Sequence, residues 1–204
     1  MKMRAGKNTH ERSEHWYTRN GQFTREADKI LPGRIVFLGD SITEGFSLDY
    51  FFPDLQALNR GISGDHTDGL LQRLHHSVIR LQPSKLFVLI GINDIGAGDQ
   101  DSSIVDNYLQ LMQQMAKQIP GTTIFIQSIL PTSRNRPNCP KQKINHLNTV
   151  IREYAEQFAF KWIDLHSLFK NKEGYLKKDL TDDGLHLNGA GYLLWAKALT
   201  PYLY

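Results

Sequence analysis

The chain has 204 residues, 40% of them hydrophobic and 22% charged, a composition that excludes a disordered chain, a coiled coil and a collagen-like repeat. Its net charge of +3 is too small, and its basic residues too scattered, to argue for nucleic acid or an anionic membrane surface as a partner. The lone Cys139 excludes an intramolecular disulfide and a cysteine-cluster metal site.

One domain over residues 1–204 is the organisation expected at this length. Met1-Lys2-Met3-Arg4 is followed by no apolar stretch. A secretory signal needs about 7–15 apolar residues and a membrane span about 20, so a cytoplasmic protein without a stable membrane anchor is expected. Residues 1–33 read as a polar extension, helical and surface-lying over 9–29, with a break at Asn20-Gly21 and an end at Pro32-Gly33.

Residues 34–38 (RIVFL) form a short apolar run rich in β-branched side chains, the pattern of a buried strand. Residues 85–90 (KLFVLI) and 122–129 (TTIFIQSI) repeat it, 160–165 (FKWIDL) repeats it more weakly, and 55–59 is the poorest of the strand candidates. Helical spacing separates them. It carries Leu70, Leu74, Val78 and Leu81, then Ile104, Tyr108, Leu111 and Met115, then Ile144, Leu147, Ile151 and Phe158, with a last amphipathic helix over 190–199. Alternating strands and helices predict an α/β three-layer sandwich around a parallel sheet. Such a sheet binds ligands beyond the carboxyl ends of its strands, so reactive residues should follow the apolar runs.

Four segments fit that expectation, although each has a plain structural reading too. Gly39-Asp40-Ser41 places a serine at a tight strand-to-helix turn, where Asp40 or Ser41 would also serve as a helix cap. Gly61 and Gly64 bracket a loop that can expose backbone N–H groups, or simply a loop capped by Asp65 or Thr67. Gly91-Ile92-Asn93-Asp94 follows the third run, and an Asn amide there can donate to a developing oxyanion. Asp183-Gly184-Leu185-His186 sets a carboxylate three residues before an imidazole, the spacing of an orienter and a base, with Asn188 as cap for the final helix. Nucleophile, donors, orienter and base together are what acyl transfer requires.

These four blocks resemble those of the SGNH, or GDSL, hydrolase family, over about residues 34–199. Residues 59–64 (NRGISG) and the closing D-G-L-H-L-N-x-x-G-Y resemble bacterial relatives of the platelet-activating-factor acetylhydrolase catalytic subunits. The resemblance implies a flavodoxin-like sheet of five parallel strands and a triad that needs no metal and no cofactor. It implies Ser41 as nucleophile, Asp183 as orienter and His186 as base, with an oxyanion hole made of the Ser41 N–H, the Gly64 N–H and the Asn93 amide. Ile92 stands where the family often has a smaller residue, which would narrow the acyl pocket.

The expected activity is hydrolysis of short-chain acyl esters through an acyl-serine, on a small-molecule substrate. The alternatives are a lysophospholipase or thioesterase, or a non-catalytic flavodoxin-like module for phosphate or nucleotide. The oligomeric state, homo-oligomer included, stays open. His66 is placed at the rim and His75-His76 on an exposed helix face. Asp164 and His166 are discounted as a second orienter–base pair, because a two-residue spacing in a strand does not turn one side chain toward the other. The cluster Phe46, Tyr50, Phe51 and Phe52 reads as core.

Overall fold

The structure is a computed structural model and describes residues 10–204, so the first nine positions of the expected N-terminal extension lie outside the described residues. The apolar runs form one five-stranded sheet in the order β2-β1-β3-β4-β5, with every neighbouring pair parallel. The strands are β1 (Ile35–Gly39), β2 (Leu58–Gly61), β3 (Lys85–Leu89), β4 (Thr123–Gln127) and β5 (Lys161–Ile163). This is the flavodoxin-like order. All five residues of β1 are buried, as continuous apolar composition requires of a strand covered on both faces. Phe37, Phe87 and Phe125 sit in register on adjacent strands and stack with centroid spacings of 4.8 and 4.5 Å. They tie β1, β3 and β4 together at the centre of the core.

The longer helices are α1 (Glu14–Ala27), α4 (Thr67–Ser77), α6 (Asp101–Gln118), α7 (Lys141–Gln157) and α9 (Gly189–Leu203). Four short ones, α2 (Ser41–Glu44), α3 (Leu48–Phe51), α5 (Ile92–Ala97) and α8 (Leu165–Phe169), follow strands or loops at the rim. α4 packs on α6, with α1 against α4 and α7 against α6. No helix among the described residues is long and apolar enough to cross a membrane.

Two expectations need correction. α1 runs unbroken through Asn20-Gly21, and it is not merely surface-lying. Trp16, Phe23 and Ala27 are buried, and Trp16 and Phe23 form a small cluster with Ile62 at the end of β2. Positions 16, 23 and 27 share one face of a helix, a narrow stripe masked by the polar residues around it. Three guanidiniums, those of Arg19, Arg60 and Arg73, lie over the Phe23 ring at 4.8, 4.4 and 5.9 Å. The aromatic run also splits: Phe46 and Phe52 are buried, whereas Tyr50 is 80% exposed.

Candidate active site

β1 ends on Gly39, where a Cβ would lie 2.2 Å from both the Leu89 carbonyl and Thr43 Oγ1. Only glycine allows that approach. Asp40 then caps α2, its Oδ1 accepting the Ile42 N–H at 3.0 Å. The bland reading of Asp40 is therefore correct, and it is also what makes Ser41 the first residue of a one-turn helix. Ser41 Oγ lies 3.0 Å from His186 Nε2, and His186 Nδ1 lies 2.7 Å from Asp183 Oδ2. A carboxylate only accepts, so Nδ1 carries the proton and Nε2 is left to accept from Ser41.

The loop that presents this pair is closed on itself. Asp183 Oδ1 accepts the N–H groups of Leu185 and His186 at 2.9 and 2.8 Å, and Gly184 holds a φ of +84°. Arg136 donates twice to the Asp183 carbonyl, at 3.1 and 2.8 Å, and its Nη2 is 3.4 Å from Oδ2. Burial acts to raise the Asp183 pKa, but the hydrogen bonds from the His186 ring and the two backbone N–H groups outweigh it and hold the carboxyl well below the usual range. Asp183 thus stays ionised beside an imidazole. The His186 and Asp183 side chains are 47% and 44% exposed, so the group is open to water.

Gly64 sits at φ +75°, in the left-handed region that glycine enters without strain. Among the described residues, neither the Ser41 N–H nor the Gly64 N–H has a protein acceptor. Asn93 Nδ2 donates one hydrogen to the Asp65 carbonyl at 2.8 Å, and the same amide holds a second hydrogen. The segments that follow β1, β2 and β3 therefore carry all three donors expected from the sequence. Beside Asp40, the buried side chains of Ile42, Ile92, Ile129 and Leu130 pack into an apolar wall that leaves no room for a water molecule.

Acidic groups beneath the site are buried. Burial, with smaller pushes from the Asp65 and Asp94 charges, raises the Asp40 carboxyl to about 7 despite the Ile42 N–H. Burial likewise raises Asp94 to about 6, although Thr67 donates both its N–H and its hydroxyl to it. Asp94 thereby anchors the start of α4, whose cap is His66 rather than Asp65 or Thr67.

The remaining histidines lie outside the hydrogen-bonded line. His66 is half-buried and stacks on His10 at 3.7 Å. His75 is exposed, and His76 bonds Asn20. The His166 backbone N–H donates to Ser128 Oγ, its ring is buried near Trp162 and Arg152, and Asp164 instead caps α8 through the Ser167 N–H. Ligand atoms of His10, Asp94 and Asp99 lie within 4.8 Å of one another, but the His10 ring is already paired with Asp99 at 2.7 Å and Asp94 is engaged by Thr67.

Several supporting residues were missed. Glu44, three positions after Ser41, accepts from the Ser63 N–H and hydroxyl at 2.6 and 2.5 Å and is paired with Arg19 and His15. Ser63 therefore ties the Gly64 loop to α2. Tyr192 donates to the Ile42 carbonyl at 3.0 Å, fastening α9 to α2. Arg73 is fully buried and paired with Asp65. One signal was present: an arginine between Leu70 and Leu74 interrupts the apolar stripe of α4 and needs a buried partner.

A flavodoxin-like sheet that sets serine, histidine and aspartate in a hydrogen-bonded line at its carboxyl edge is built as a hydrolase. The model of the GDSL-like lipase/acylhydrolase family matches residues 37–194, and the chain belongs to that family of acylhydrolases and esterases. It is 25% identical over 194 residues to human platelet-activating factor acetylhydrolase IB subunit alpha1, covering 92% of this chain and 82% of that protein. A Streptococcus pneumoniae structure described as a platelet activating factor protein is 30% identical, with a TM-score of 0.87 and 94% of each chain covered. An acylhydrolase structure from Bacteroides fragilis shares the fold at 22% identity, with a TM-score of 0.81 and 95% and 98% of the two chains covered.

Proposed function

We propose that the chain hydrolyses short-chain acyl esters of small molecules through an acyl intermediate on Ser41. The observation that carries this is the line Asp183–His186–Ser41, with contacts of 2.7 and 3.0 Å. Ser41 Oγ attacks the ester carbonyl while His186 Nε2 takes its proton. Negative charge builds on the carbonyl oxygen, where the Ser41 N–H, the Gly64 N–H and the Asn93 amide receive it. The tetrahedral adduct collapses, and the departing alkoxide takes the proton from His186. Water, deprotonated by the same imidazole, then attacks the acyl-serine and regenerates Ser41. Asp183 stabilises the imidazolium in both halves, and the cycle balances without a cofactor.

Buried Ile92, beside the Asn93 donor, stands where the family often has a smaller residue, and an acyl pocket narrowed there favours acetyl and other short chains over long ones. The name of the human relative, an acetylhydrolase, points the same way. A p-nitrophenyl ester series tests this: kcat/KM should be greatest for the shortest acyl groups and fall at least about tenfold by the octanoate, since a chain that overfills the pocket must displace packed side chains at about 1–3 kcal/mol. A rise toward long chains would make the protein a lysophospholipase or long-chain thioesterase instead. Ser41→Ala should lose both turnover and labelling by a fluorophosphonate while its circular dichroism is unchanged. Wild-type protein that neither turns over esters nor takes the label would leave the phosphate- or nucleotide-binding module as the reading. We also propose a cytoplasmic location, on the free Cys139 suited to a reducing compartment, and recovery outside the cytoplasmic fraction would overturn it.

A further inference from the structure

The loop that bears Gly64 is held from below by a buried ion pair. Asp65 and Arg73 have fully buried side chains and meet at 2.7 Å, Arg73 Nε to Asp65 Oδ2. Burying such a pair gains little stability, because desolvation offsets most of the attraction, so what it fixes in space is the more informative question.

Arg73 uses its whole fork. Nη1 donates to the Arg60 carbonyl at 2.9 Å and Nη2 to the Gly39 carbonyl at 2.9 Å. Gly39 is the last residue of β1 and Arg60 the penultimate residue of β2, in the stretch where the two strands finish pairing. A lysine ammonium could not span the same three acceptors in a plane. Asp65 is as fully engaged. Its Oδ1 accepts from the Trp16 indole at 2.8 Å, its N–H donates to the Ile62 carbonyl at 3.1 Å, and its carbonyl accepts from Asn93 Nδ2 at 2.8 Å.

Each proposed oxyanion donor is therefore a short step from the pair. Ser41 lies two residues beyond Gly39, Gly64 is bonded covalently to Asp65, and Asn93 is bonded through its amide to the Asp65 carbonyl. Trp16 belongs to α1, outside the matched residues 37–194. We propose that Asp65 and Arg73, with Trp16 of the N-terminal helix as third partner, are positioning residues that align the oxyanion donors on the reacting carbonyl; this rests on the acyl-serine reading above. They touch no reacting atom. They set the direction of the groups that do, and a donor displaced by a fraction of an ångström loses much of its effect.

The test uses the full-length Trp16→Phe variant, which keeps an aromatic ring and deletes the donor to Asp65. Turnover of p-nitrophenyl acetate is measured well below the melting temperature and divided by the fraction of sites titrated with a fluorophosphonate. The expected result is a kcat lowered about tenfold with KM within about twofold of wild type, less than the roughly 10²–10³ for outright loss of one donor. In an Asn93→Ala background the same substitution should cost less than about threefold, since one donor it misplaces is already gone. An unchanged kcat per titrated site, or an equal fold loss in both backgrounds, overturns the assignment and leaves the network a purely structural clamp. Arg73→Lys should lower kcat further; should that variant fail to fold, Trp16→Phe decides alone. Failure of the acyl-serine reading would look different, as wild-type protein that takes no label at Ser41.

Discussion

At the residue scale, the fixed charge of the site rests on one carboxylate. Asp183 is held ionised by the His186 ring and two backbone N–H groups against the effect of burial, so its own titration lies far below the working range of the enzyme. In the proposed mechanism His186 accepts the Ser41 proton at Nε2 and becomes an imidazolium. A carboxylate beside an imidazole favours the imidazolium. Asp183→Asn should therefore lower kcat by about 10⁴-fold, as loss of the orienting carboxylate does in other triads. Steady-state kinetics on the folded variant decide it, and an unaltered kcat would remove Asp183 from the mechanism. The proposed reacting groups could be picked out in the sequence because acyl transfer constrains their types and order. Their supports could not: Glu44 reaches Ser63 across 19 residues and Trp16 reaches Asp65 across 49, distances over which no local pattern operates.

At the scale of elements, strands β1, β3 and β4 were plain from their continuous apolar runs. β2 was read too early, over 55–59 rather than Leu58–Gly61. As an edge strand, half-buried at Leu58 and Asn59 and buried only at Arg60 and Gly61, it lacks the apolar run that marks the centre of the sheet. Its last residue shows why side chains are excluded there: a Cβ on Gly61 would stand 2.2 Å from the Glu44 backbone nitrogen. Helix α2 and strand β2 touch through that hydrogen, and backbone cannot rotate away. Gly61→Ala should thus force α2 off β2, destabilising the fold by about 1–3 kcal/mol and reducing esterase activity in the folded fraction. Thermal unfolding together with active-site titration measures both. A variant with wild-type melting and turnover would mean that α2 and β2 are not in contact as described.

For the molecule as a whole, the three-layer fold was readable from the alternation of runs and periods, because both report burial directly. The buried acids were not, since an aspartate at a turn looks the same whether it is exposed or enclosed. Yet they set how stability varies with pH. Burial keeps Asp40 protonated up to about 7 and Asp94 up to about 6, whereas an unfolded chain releases those protons near 3.9. Between these values the native state binds more protons, so their contribution to stability is present at low pH and is lost as pH rises through 6 and 7. Glu26, Glu44 and Asp183, whose values are depressed, act in the opposite sense and lose their contribution as pH falls. Asp40→Asn cannot ionise and can still accept the Ile42 N–H. The melting temperature of the variant, relative to wild type, should be higher at pH 8 than at pH 5. An equal difference at both pH values would show that Asp40 titrates as an exposed aspartate.

Nearly half of the His186 and Asp183 side-chain surface faces solvent. An acyl group on Ser41 would therefore be shared among whatever nucleophiles diffuse past, instead of being reserved for one bound acceptor. Water would win by abundance, and hydrolysis would be the outcome of an unguarded intermediate. Added methanol should divert acyl groups to the methyl ester roughly in proportion to its share of the solvent. A product ratio insensitive to methanol would mean that the deacylating water is held in place.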